Sequence, residues 1–283
     1  MAAWLLLLLE TMPRIRRVLL PIVPAASWEI ETASLKSILN HWGAELTLLH
    51  VVENPRWPRR PHETGRPLEE LRHIARTRFP EMAVTSRVES GQPAEEIVRH
   101  VQDGGADLVV MAARHSSGLR RSAVGHVASK VVNEAPCAVW LHWGRHLAPA
   151  PARAHGVCCV ADLNQPFEDV LHEAAEIADA IGATLTIIHV VSPAHGGYPA
   201  LWDRGERRRA VRNAAAQLDA ARREIAPTAG IAIEAGPPAL LSRTIRNLEP
   251  EFLVSGPRLE HVLAAESLCP VWRVPARRIA TAP

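Results

Sequence analysis

The chain repeats itself, and no other property of the sequence constrains its fold as much. "HWGAELTLLHVVENP" (41–55) aligns with "AIGATLTIIHVVSPA" (180–194), pairing Gly43 with Gly182 and His50 with His189 at an offset of 139. "ESGQPAEEIVRH" (89–100) aligns with "EAGPPALLSRTI" (234–245), Glu89 with Glu234 and Pro93 with Pro238, at an offset of 145. "EAPCAVWL" (134–141) aligns with "ESLCPVWR" (266–273) at an offset of 132. Three matches in one order mean two copies of a single unit. The offset falls by 13 before the last match, so the second copy is shorter there, opposite "AARHSSGLRRSAVGHVASK" (112–130) of the first.

Each copy alternates short apolar runs with amphipathic segments. In the first, "VLLPIV" (18–23), "LTLLHVV" (46–52), "LVVMAA" (108–113) and "CAVWL" (137–141) are apolar throughout, the pattern of parallel strands covered on both faces. Leu35, Ile38, Leu39 and Trp42 recur at helical spacing between the first two runs. A later helix opens at Pro93 and repeats Ala94, Ile97, Val98 and Val101 on one face. The second copy's opening helix begins near Pro166 and carries Phe167, Val170, Leu171, Ala174, Ala178 and Ile181. Strands alternating with helices specify a doubly wound α/β domain, here twice over. The Pro/Ala-rich "HLAPAPARAH" (146–155) reads as the linker. The expected organisation is an extension over 1–13, domains over 14–145 and 156–275, and a tail over 276–283.

Charge narrows the partners. Lys and Arg number 32 against 30 Asp and Glu, and the formal charge of +2 favours neither nucleic acid nor an anionic membrane. The apolar stretch from Ala2 to Leu9 is too short to span a bilayer and lacks the basic start of a signal peptide, so the chain reads as cytoplasmic. Cys137, Cys158, Cys159 and Cys269 show no CxxC spacing, and each lies in an apolar run, as packing residues do. The 14 histidines include no HxH or HExxH, and GxSxG is absent, so neither a metal centre nor a serine hydrolase is expected. The repeated His50 and His189 read as structural. "NPRWPRRPHETGRP" (54–67) reads as a solvated flap, and "RGERRRAVRNAAAQLDAARRE" (204–224) as a helix with a charged outer face.

In open α/β sheets ligands sit beyond the carboxyl ends of strands, where the strand order reverses. The first strand of each copy ends near Val23 and Asp162, and "LVVMAA" feeds the 112–130 loop. A glycine-rich loop there would turn backbone N–H groups toward phosphate oxygens at the start of a helix. On "LLPIV" or "CCVAD", "LTLLHVV", "GQPAEEIV", "ADLVVMAA" and "GLRRSAVGHVASKVVNEAPCAVWL", the chain resembles the universal stress protein family in tandem form, over about residues 14–275. The resemblance implies two five-stranded parallel-sheet domains of the adenine nucleotide alpha-hydrolase-like type. It also implies pairing of the two last strands as an intrachain pseudo-dimer, with Trp140 and Trp272 at the junction. A further homodimer and an unidentified protein partner stay open.

Nucleotide-binding members of that family carry G-x-x-G, nine residues, then G-S/T, with an aspartate closing strand one near the adenine. The resemblance puts the first copy's site on Val23, Ala112, His115, Ser116, Ser117, Gly118, Gly125 and His126, with ATP or AMP as the ligand class and no metal. Val23 replaces the aspartate, Ala112 and His115 replace two glycines, and His126 replaces the hydroxyl. The second copy keeps Asp162 and the strand-end Gly256 but has lost most of the loop. The expectation is a non-enzymatic stress-response protein with degenerate nucleotide sites. The alternative is an ATP/ADP-binding regulatory module using the 112–130 loop.

Overall fold

The computed structural model describes residues 15–24, 32–53, 65–113, 125–143, 156–193, 202–257 and 269–275. The first repeat runs β1 (Arg17–Pro21), α1 (Thr32–Trp42), β2 (Glu45–Val52), α2 (Gly65–Arg78), β3 (Val84–Ser90), α3 (Pro93–Gln102), β4 (Leu108–Ala113), α4 (His126–Glu134) and β5 (Ala138–Trp143). The second runs β6 (Gly156–Val160), α5 (Glu168–Ile181), β7 (Thr184–Val191), α6 (Arg204–Ile225), β8 (Gly230–Ala235), α7 (Leu240–Leu248), β9 (Phe252–Ser255) and β10 (Val271–Arg273). The expected extension, linker and tail lie outside the described residues.

The chain divides into two compact units, the first ending at Val110 and the second running from Met111 onward. In the first unit the strands lie in the order β3-β2-β1-β4, all parallel, with Leu20 of β1 beside Leu48 of β2 and Val18 beside Leu108 of β4. In the second the order is β5-β10-β9-β6-β7-β8, parallel except where β5 meets β10.

The repeated sequence folds into repeated detail. Gly43 (φ 60°) and Gly182 (φ 67°) both end a helix in the left-handed region, where a Cβ would be strained. The following N–H turns back to the helix in each case, Ala44 to the Leu39 carbonyl at 2.9 Å and Ala183 to the Ala178 carbonyl at 2.8 Å. Most of the periodic apolar residues are buried, Leu35, Ile38, Leu39 and Trp42 on α1 and Val170, Leu171, Ala174 and Ala178 on α5; Ile181 is half-buried, and Ile177 lies in the core instead. All four cysteines are buried, and burial pushes the Cys158 thiol up to about 12. Cys158 stays protonated near neutral pH and serves as a packing group.

β5 and β10 pair antiparallel, Trp140 opposite Trp272. The two indoles stack with ring centres 5.8 Å apart, and Phe252 of β9 lies 5.1 Å from Trp140. The Trp272 Nε1–H donates to the carboxylate of Glu173 on α5. Arg273, buried beside them, donates from Nη1 to the Ala135 carbonyl at 3.2 Å, closing the carboxyl end of α4.

Candidate functional site

The order of strands fixes where a crevice opens. From β6 the chain crosses through α5 to β7 on one side, whereas β9 lies on the other, so the order reverses between β6 and β9. Val160 and Ser255, the last residues of those strands, are direct neighbours. Asp162 and Gly256 therefore emerge at the same end of adjacent parallel strands, and the fold brings together the two residues singled out in the second repeat.

The Asp162 side chain is already engaged. Its Oδ1 accepts from the Asn164 backbone N–H at 3.1 Å and from Asn164 Nδ2 at 3.0 Å, and its Oδ2 accepts from Gln165 Nε2 at 2.8 Å. This is a self-satisfied Asx turn, and its signal, Asp162 followed by Asn164 and Gln165, is local in the sequence. A Cβ built on Gly256 would lie 3.6 Å from Val170 Cγ2, an ordinary contact, so neither space nor backbone angle requires glycine here. Beside it, Ser255 is 2% exposed, and its Oγ has no hydrogen-bond partner among the described residues.

The histidines brace the strand ends. His189 Nδ1 lies 2.8 Å from the Ala161 carbonyl, immediately before Asp162, and His50 Nδ1 lies 2.9 Å from the Ile22 carbonyl, immediately before Val23. Each clamps the residue preceding a candidate site position to the neighbouring strand. Sequence alignment finds the pair, but only the folded geometry gives it this task.

In the first unit the order reverses between β1 and β4. Val23 follows β1 and is 50% exposed, an apolar residue where a carboxylate would accept hydrogen bonds. Pro24 and the α2 residues Arg66, Glu69, Glu70, His73 and Ile74 line an open cleft of about 360 Å³ nearby, with Arg66 Nε 3.1 Å from the Glu70 carboxylate. Ala112, Gly125 and His126 belong to the second unit. Ala112 is exposed on β4, and Gly125 is the N-cap of α4 with φ −57° and ψ 150°. Among the described residues no side chain caps α4, whose first helical bond joins the Ser129 N–H to the Gly125 carbonyl at 2.9 Å, and His126 is exposed on its first turn. His115, Ser116, Ser117 and Gly118 lie outside the described residues. Among the described residues no three His, Cys, Asp or Glu side chains cluster to hold a metal, and no helix is long and apolar enough to cross a membrane.

Parallel strands wound both ways from a reversal point, with Asp162 and Gly256 at the crevice, define a doubly wound α/β fold. Residues 16–141 match the sequence model of the universal stress protein family. A crystal structure described as a candidate universal stress protein from Pseudomonas aeruginosa UCBPP-PA14 is 19% identical, with a TM-score of 0.67 over 93% of this chain and 94% of its own. A Pseudomonas aeruginosa PAO1 protein of unknown function is 18% identical, with a TM-score of 0.67 over 94% of both chains. A universal stress protein from Archaeoglobus fulgidus DSM 4304 is 16% identical, with a TM-score of 0.60 over 92% of this chain and 96% of its own. At these identities the likeness is one of fold. No curated protein sequence matches the chain.

Proposed function

We propose that the chain is a tandem universal stress protein, with domains over 14–145 and 156–275, acting in the cytoplasm as a non-enzymatic binding or regulatory protein whose nucleotide sites are degenerate. The observation that carries this reading is the state of Asp162. Both of its carboxylate oxygens serve Asn164 and Gln165, so a base edge would compete with the chain's own turn. Val23, in the matching position, offers no polar side-chain atom. The antiparallel contact of β5 with β10 supports pairing of the two domains through their last strands, with the Trp140–Trp272 stack at the seam.

The amino end of α4, which has no side-chain cap among the described residues, favours a second reading, an ATP- or ADP-binding regulatory module built on the 112–130 loop. One experiment separates the two. Bound small molecules are released by denaturation and identified, and the nucleotide-free protein is titrated with ATP by calorimetry beside His126→Ser. The first reading expects no released nucleotide and no heat of binding from the wild type. Tight wild-type binding overturns it in favour of the second, and steady ATP turnover would overturn both.

A further inference from the structure

Helix α6 carries two sets of arginines that the fold treats differently. Near its carboxyl end, Arg222 and Arg223 both pair with Asp219, with Arg222 Nη2 2.7 Å from the carboxylate. There cations also suit the helix dipole. In its first half, Arg204, Arg208 and Arg212 are all exposed. They stand four residues apart, so they form one stripe about 12 Å long on one side of the helix. No carboxylate stands three or four residues from any of the three, and none of them has an ion pair among the described residues. The stripe opposes the dipole and repels itself. Arg207 and Arg209 add to it, Arg207 tethered to the Ala235 carbonyl at 2.8 Å and Arg209 lying near the N-cap Asp203.

A face that disfavours its own helix is explained by what it meets. We infer that the Arg204–Arg208–Arg212 stripe is a docking surface for a short acidic peptide segment of a partner protein. Guanidinium forks take carboxylates two bonds at a time, and a stripe of two helical turns matches three or four successive acidic side chains. The stripe is too short for a polyanion. The formal charge of the whole chain is only +2, too small to favour a long polyanion as the partner. Among the described residues, Val23 and Leu248 are the exposed large hydrophobics; neither lies on α6, so the helix offers a bilayer nothing to insert. The inference supplies the partner chemistry for the binding role proposed above, and the nucleotide titration leaves it untouched because α6 holds none of those site residues.

The test is fluorescence anisotropy of the full-length protein with a fluorescein-labelled octaglutamate peptide, at about 20 mM and about 200 mM salt. The variant is Arg204→Glu/Arg208→Glu/Arg212→Glu, and the control makes the same charge change elsewhere, at Arg76, Arg78 and Arg243. The stripe variant is expected to bind at least about tenfold more weakly, and the control within about twofold of wild type. Glutamates in the first turns favour the dipole, so the stripe variant should melt no lower than wild type, and it should bind labelled octalysine better than wild type does. Equal losses in stripe and control variants, or no gain toward octalysine, overturn the inference. So does wild-type binding of a labelled deoxythymidine octamer as tight as that of octaglutamate, which would assign the stripe to nucleic acid.

Discussion

Glu173 is the group whose removal should be easiest to read. It projects from α5 against the last strand and accepts the Trp272 indole N–H, with Glu176 and Asp169 on the same helix as its charged neighbours. Burial, against the Trp272 hydrogen bond and reinforced by those two carboxylates, lifts its pKa from 4.5 to about 7. A raised carboxyl pKa favours the folded state only while the group is protonated. The contribution is therefore whole below about pH 4.5 and is lost progressively as pH rises through about 7. At about 1.4 kcal/mol per pKa unit the full loss is about 3 kcal/mol. Glu173→Gln keeps an acceptor for the indole and removes the titration. Urea unfolding of both proteins followed between about pH 5 and pH 8 should show the wild type weakening relative to the variant by about 2–3 kcal/mol as the pH rises. Parallel pH profiles for the two proteins would refute the reasoning, because the carboxyl would then be ionised at no cost in the folded chain.

Trp140→Asp removes an indole that is 1% exposed and stacked on Trp272, and puts a carboxylate in its place. It should cost about 3–5 kcal/mol, and an unchanged melting temperature would count against the seam between β5 and β10. Gly43→Ala and Gly182→Ala meet no atom within 4 Å but force a Cβ into the left-handed region, so each should lower stability by about 1 kcal/mol in urea titration. His189→Ala frees the Ala161 carbonyl and should cost about 0.5–1.5 kcal/mol, with His50→Ala matching it at Ile22. A large difference between the two would show that the repeats do not use their histidines alike.

Most of the fold was legible in the chain. Offsets near 139 matched Gly43 to Gly182 and His50 to His189, and the structure gives each pair one geometry. Apolar runs became the parallel strands and helical spacing became the buried stripes, because both are local rules of period and burial. The site was legible only in outline. Order reversal put Asp162 and Gly256 at one crevice, as the alternation of strands and helices requires. That the carboxylate is consumed by Asn164 and Gln165 depends on side-chain geometry, although all three residues are neighbours in the chain.

The sequence by itself determined the repeat, the class of fold and the matched positions of Gly43 and Gly182 and of His50 and His189. Each follows from residues close together in the chain or from a pattern written twice. The tertiary structure alone decided that Trp140 faces Trp272 in the antiparallel contact, and that Glu173 lies beneath an indole 99 residues away. Those facts depend on which surfaces the folded chain brings together, and the energies of burial and pairing that follow have no local signature in the sequence.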